Sequence, residues 1–292
     1  MFKGATGRKI KFRLNALIDQ EPVSASIEKT QREFVTCIQS LMLILDSSPT
    51  GRALLQKAAV TDISVGLDSL LEPSSNFFYP AQKHFDFGYQ PDILQKTEKG
   101  QGRYLVSFIG GLRRAWHHLH GNGADISLKP EDFLRQFRCE EADIESITHL
   151  IGWELRAAGH SFLWRYLLSG PNGDMAVVFE RAVAEDPGAQ FDGRALKATF
   201  NQWFAEHERV TVCDHLGLEI MDMAILQRGH AGKIGTRAAG QESMQRVGML
   251  PDGKNYLSGC LFTGGWYGGL KDDLNCMHLK YIERDLCQLL EK

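Results

Sequence analysis

The sequence lacks several features that mark whole classes of protein. No apolar run approaches the roughly 20 residues that a membrane-spanning helix needs, and the basic N-terminal stretch has no apolar segment of the kind found in secretory signals. The 33 basic and 36 acidic residues give a net charge of −3, so no excess positive charge draws the chain toward nucleic acid. We therefore expect a cytoplasmic globular protein that binds neither membrane nor nucleic acid.

Common catalytic motifs are also missing. The six cysteines are scattered singly without C-x-x-C spacing, so we expect free thiols in a reducing compartment. No phosphate-binding or dinucleotide glycine pattern and no G-x-S-x-G serine motif occurs. Cys213, Asp214 and His215 adjoin in the chain, but neighbours on a helix point about 100° apart, so adjacency makes no catalytic dyad.

What the sequence does contain is apolar residues at helical spacing. The clearest helix is Tyr104 to His120, which ends at Gly121, and Val60–Leu67 and His84–Tyr89 are the clearest strands. The fold class predicted is therefore α+β, mostly helical, with a small sheet near residues 60–90. Further helices are expected over 26–45, 50–58, 131–155, 162–168, 175–184, 194–204, 210–226 and 274–290.

Two segments allow more than one interpretation. The alternation of apolar and basic residues over Ile10–Leu14 fits an edge strand, or a basic arm for an acidic partner. The glycine-rich region 229–270 ends in the run Gly264–Gly269, which contains Trp266 and Tyr267. That run fits a tight turn with inward-packed aromatics, or a mobile aromatic binding loop.

Several stretches together resemble a known family. The order is a short helix opening at Ser48–Arg52, two strands, a helix carrying Gly110–Trp116, and a later acidic helix carrying Glu141–Asp143 and Trp153–Leu155. Over residues 45–215 this resembles a bacterial family of metallopeptidase-like proteins of unknown function with a zincin-like fold. The family's downstream helix pair is matched by Trp203, Phe204, Arg209, Val210 and Asp214.

The resemblance implies a domain organisation and a loss of chemistry. It divides the chain into an N-terminal strand and helix (1–45), a zincin-like domain (46–215) and a C-terminal extension (216–292). A zincin helix carries H-E-x-x-H, two zinc-binding histidines and a glutamate general base. In this chain Gly110 and Arg114 stand at the histidine positions, and Gly111 stands at the glutamate position. Since no two histidines lie four apart elsewhere, we expect a catalytically inactive protein without zinc, whose remnant cleft binds a peptide or protein.

Three alternatives remain open. A rearranged zinc site could support a hydrolase, with the family's third ligand falling at Glu141; its candidate ligands are His117, Glu141, Glu145 and His149. Alternatively, Arg114 could form an ion pair with Glu141 in place of the metal, and a helical scaffold with a closed cleft would follow. Finally, the glycine pair Gly110–Gly111 could mark a close helix crossing in an ordinary core.

Overall fold

The computed structural model describes residues 11–12, 25–68, 70–72, 74–89, 97–228, 234–262 and 267–290. Its strands are β1 (Lys11–Phe12), β2 (Ser64–Asp68), β3 (Asn76–Tyr79) and β4 (His84–Gly88). Its helices are α1 (Ala25–Leu45), α2 (Pro49–Val60), α3 (Glu98–Leu119), α4 (Pro130–Ala157), α5 (Phe162–Ser169), α6 (Gly173–Glu185), α7 (Ala189–Asp192), α8 (Arg194–Trp203), α9 (His207–Arg228), α10 (Gln241–Val247) and α11 (Asp273–Leu290). The predicted helical α+β class with a small sheet is confirmed.

The sheet has the order β1-β2-β4-β3. Strands β1 and β2 run parallel to their neighbours, and β3 runs antiparallel to β4. Because β1 lies at one edge, the predicted edge strand is confirmed for Lys11 and Phe12, whereas residues 10, 13 and 14 lie outside the described residues. The other edge strand is β3, which the sequence pattern does not predict.

Contact clustering divides the chain into two compact units. Unit 1 comprises Met1–Leu119 and Ile147–Val177, and unit 2 comprises His120–Ser146 and Val178–Lys292. Among the described helices, none combines the length and apolar character required to cross a membrane.

The core of unit 1 lies between one face of the sheet and the helices α1 and α3. On β4, Phe85 and Phe87 point to this face and are fully buried. The Phe85 ring lies 6.0 Å from Phe108, and the Phe87 ring lies 5.3 Å from Tyr104, both on α3. The apolar stripe of α3 is therefore a helix-on-sheet contact.

The core of unit 2 is helical. The start of α4 packs with α9 and α11, and Leu218 and Met221 of α9 are completely buried. The other members of this cluster are Leu128, Phe133, Leu134, Ile234, Leu279, Ile282 and Leu286.

Candidate functional site

Helix α3 carries the positions that the resemblance assigns to a zincin active site. Gly110 and Gly111 lie in its interior and are buried. A Cβ atom added to Gly111 would lie 2.9 Å from Cδ2 and Cε2 of Phe85, closer than side chains pack. The close contact expected of this glycine pair is thus with the sheet, not with another helix. Gly111 is required because β4 presents an aromatic ring to α3 at this point.

Arg114 occupies the second histidine position and points toward the edge strand. It is half-buried, and its Nη1 donates a long hydrogen bond of 3.4 Å to Oδ1 of Asn76 on β3. The Asn76 amide in turn donates to the carbonyl of Ser107 on α3, at 2.9 Å. A cation therefore stands where a zinc ligand would be needed, and it repels Zn²⁺ electrostatically. The ion pair between Arg114 and Glu141 stays a prediction.

The histidines near this helix have different surroundings. His117 and His149 are completely buried, and Nε2 of His149 lies 3.3 Å from the carbonyl of Asn172. His118 is exposed, and partial burial together with the charge of Lys83 lowers its pKa. Glu141 and Glu145 are half-buried on α4.

The described residues include the four alternative ligands. Among these described residues, no three His, Cys, Asp or Glu side chains come together so that they could hold a metal ion. The residues present at the zincin positions likewise offer no ligand atoms, because glycine has no side chain and a guanidinium only donates. Zinc does not fit this set of residues.

Glu154 connects two of the stretches on which the resemblance depends. Its Oε2 accepts from the hydroxyl of Ser48 and, at 3.0 Å, from the backbone N–H of Thr50. Its Oε1 accepts from the Thr50 hydroxyl at 2.8 Å. Ser48 is the N-cap of α2, and its Oγ accepts from the N–H of Gly51 at 2.9 Å. This carboxylate therefore has a structural role, since it holds α4 to the start of α2.

A polar cluster that sequence reasoning missed lies on the sheet face opposite the core. Ser64 Oγ lies 2.7 Å from Nδ1 of His84, and Nε2 of His84 lies 2.8 Å from Oδ1 of Asp86. All three residues are buried, and the space above Gly66 is filled by His84 and Asp86. The sequence signal for this cluster is the alternation of His84 and Asp86, which places both on one face of a strand. The sequence does not show which strand pairs with it. The contacts tie β2 to β4.

In unit 2, Asp214 and His215 have separate partners, and the adjoining Cys213 is buried. Asp214 forms a bidentate ion pair with Arg138, in which Nη2 and Oδ2 are 2.7 Å apart. Burial raises the pKa of Asp214 even though this guanidinium opposes the shift. His215 lies on the helix surface with Nε2 3.4 Å from Glu219. Asp214 is thus engaged by Arg138, and His215 by Glu219.

Comparison with known proteins identifies one related family. Residues 20–258 match the model of a family described as "Putative metallopeptidase family (DUF6782)". The match extends beyond residues 45–215 at both ends. Searches of curated proteins and of solved structures each return no match.

Proposed function

We propose that this chain, which belongs to the Putative metallopeptidase family, lacks peptidase chemistry and binds an extended peptide segment. The single observation that supports the lack of peptidase chemistry is the contact between Gly111 and Phe85. A glutamate general base at position 111 would need the space that the Phe85 ring fills. With Gly110 and Arg114 beside it, these three positions supply neither zinc ligands nor a base.

The binding part of the proposal is supported by strand β3. This strand ends the sheet, and in the part of the chain that the structure describes no strand lies on its outer side. An edge strand offers backbone donors and acceptors to a peptide, which can add to the sheet as a further strand. Phe77 is 49% exposed on this strand, and its ring lies 4.9 Å from that of Tyr79. The two rings provide apolar contacts for side chains of the added strand.

The position of β3 connects the lack of peptidase chemistry with peptide binding. Asn76 on β3 is in contact with both Ser107 and Arg114 of α3, so the edge strand runs beside the part of α3 that lacks the zinc ligands. A bound peptide would therefore meet an arginine where a peptidase would present its metal. A guanidinium can donate to peptide carbonyls or pair with an acidic side chain, but it activates no water.

The experiment uses peptides because the partner is unknown. A library of random peptides displayed on phage is selected on the immobilised full chain, and enriched peptides are synthesised for calorimetric titration. We expect Phe77→Ser to weaken binding at least about tenfold. Val60→Ser is the matched control, since Val60 is a 53% exposed apolar residue of the same unit outside the sheet, and it should leave the affinity unchanged.

Backbone recognition is tested separately. Peptides N-methylated at alternate residues lose donors that a strand addition requires, so one of the two methylation registers should abolish binding. Equal binding by the Phe77→Ser and Val60→Ser variants would refute the β3 site. Cleavage of the selected peptides by the zinc-loaded chain would refute the loss of chemistry and favour the rearranged metal site.

A further inference from the structure

Helix α9 is apolar on two opposite sides. One side, with Leu218 and Met221, belongs to the core of unit 2. On the other side, apolar residues recur three or four positions apart, which places them on one solvent-facing stripe. Their exposed fractions are 54% for Val212, 49% for Leu216, 36% for Ile220, 56% for Met223 and 81% for Leu226. A surface helix that packs only on its own unit has a polar outer side, so this stripe is unexplained by the core.

Helix α11 carries a second exposed stripe next to the first. Leu274, Met277 and Tyr281 are each about half exposed or more, at 71%, 50% and 49%. The two helices pack side by side, because Asn275 donates to the carbonyl of Thr211 at 3.0 Å and the His215 and His278 rings lie 6.4 Å apart. We call these eight apolar residues of the two helices the α9–α11 face.

Four of the polar side chains that interrupt this face are already paired within unit 2. Nε2 of His278 lies 2.5 Å from Oδ2 of Asp222, and Nε2 of His215 lies 3.4 Å from Oε1 of Glu219. Burying an unpaired charge is costly, whereas a charge with its partner in place costs far less. The α9–α11 face can therefore be covered without leaving these groups unpaired.

We propose that the α9–α11 face is the surface through which two copies of this chain associate. Eight side chains that are each a third or more exposed offer apolar area on the order of several hundred Å², comparable with the ~800 Å² per partner of a stable interface. Two helices from each copy would form a four-helix layer, and a twofold axis would bring each stripe against its own equivalent.

The charges around the face favour a second copy over a lipid surface. Acidic side chains outnumber basic ones on the two helices, and an interfacial membrane helix is instead rich in Lys and Arg. The mixture of signs also suits pairing with itself, since acidic groups of one copy can meet basic groups of the other. The charged residues of the two helices are Glu208, Arg209, Asp214, Glu219, Asp222, Arg228, Asp273, Lys280, Glu283, Arg284 and Asp285.

The test is sedimentation velocity of the full chain over a wide range of concentration. We expect a concentration-dependent species of twice the monomer mass. The double variant Leu216→Glu/Met277→Glu places a charge on each stripe and should raise the dimer Kd by more than about a hundredfold. Phe191→Glu is the matched control, because Phe191 is 71% exposed in the same unit and lies outside the face. Circular dichroism melting verifies that each variant is folded.

Three results would overturn the proposal. The first is a native chain that is monomeric at every concentration. In that case, co-flotation with vesicles of phosphatidylcholine and phosphatidylserine would assign the face to a membrane. A lack of co-flotation would assign it to another protein. A dimer that persists in the double variant places association elsewhere. A control variant that dissociates as readily as the double variant shows that the effect is not specific to the face. None of these results bears on peptide binding at β3.

Discussion

Gly111 on helix α3 has little room for a side chain, and its environment makes a quantitative prediction. Replacing a helical glycine by alanine normally stabilises a helix by about 0.5–1 kcal/mol. Here the new methyl group would press on the Phe85 ring, so we expect Gly111→Ala to lower the free energy of unfolding by about 1–3 kcal/mol. Urea denaturation followed by circular dichroism measures the change.

A second-site variant separates this contact from a general effect on the helix. Phe85→Leu reduces the ring to a smaller side chain, and in that background Gly111→Ala should cost little or become stabilising. A double-mutant cycle then gives a coupling energy of about 1 kcal/mol or more between positions 85 and 111. Simple additivity of the two changes would show that the ring does not decide the residue at position 111.

The buried thiols predict how stability depends on pH. Burial raises the pKa of Cys37 from 9.0 to about 12, and burial raises the pKa of Cys139 as well. In the unfolded chain these thiols ionise above pH 9, while the folded chain keeps them neutral. The free energy of unfolding is therefore unaffected by these thiols below pH 9. It falls as the pH rises from 9 toward 12, by up to about 1.4 kcal/mol per pH unit for each thiol.

The measurement for the thiols is urea denaturation below and above pH 9. The Cys37→Ala variant should lose less stability over this interval than the native chain, since one of the groups that titrate over it is gone. Identical losses in both proteins would show that Cys37 does not take part. Cys287, which is exposed, supplies the control: Cys287→Ala should leave the pH dependence unchanged.

At the residue scale, the sequence shows which metal ligands are missing, but it does not show which contacts the residues at these positions make. The absence of ligands at positions 110, 111 and 114 follows from the side chains alone. The reason for glycine at 111 does not, because the ring that occupies the space belongs to a strand some 25 residues earlier. The partner of Glu154 was equally hidden, since Ser48 and Thr50 precede it by more than 100 residues.

At the scale of elements, Glu154 determines how α4 holds the start of α2. It accepts hydrogen bonds from Ser48 and from two groups of Thr50. We expect Glu154→Ala to cost about 2–3 kcal/mol of unfolding free energy, because the cap of α2 loses a charged acceptor. Glu154→Gln should cost less, since one side-chain oxygen remains. Both values come from chemical denaturation.

The control for this prediction is Glu185→Ala, at an exposed glutamate of α6 in a helix outside the contact. A surface change of this kind should stay within about 0.5 kcal/mol of the native chain. If Glu154→Ala is equally mild, the carboxylate does not hold the two helices, and its contacts with Ser48 and Thr50 contribute nothing measurable.

Elements with strong periodicity could be predicted, and short ones could not. The apolar stripes of α1, α3 and α11 gave these helices to within a few residues, apart from the first turns of α3. Strand β3 was missed because its four residues follow Pro73 and a serine-rich turn, and because its support comes from pairing with β4. Residues 60–63 were assigned to a strand, but α2 continues to Val60 and β2 begins at Ser64.

At the scale of the whole molecule, family membership and peptidase chemistry are separate properties of this chain. The family match covers residues 20–258, and the positions within it that the resemblance assigns to a zincin site, Gly110, Gly111 and Arg114, carry no metal ligand. Peptide binding along β3 and self-association through the α9–α11 face involve different units and can fail independently. The central claim beneath both is that this member lacks a zinc centre.

The most direct test of that claim is the zinc content of the purified full chain by elemental mass spectrometry, before and after exposure to zinc and dialysis. The account predicts well under one zinc per chain in both samples. Retention of about one zinc per chain, lost in the His117→Ala or Glu141→Ala variant but kept in the exposed-histidine control His118→Ala, would contradict it and establish a rearranged metal site.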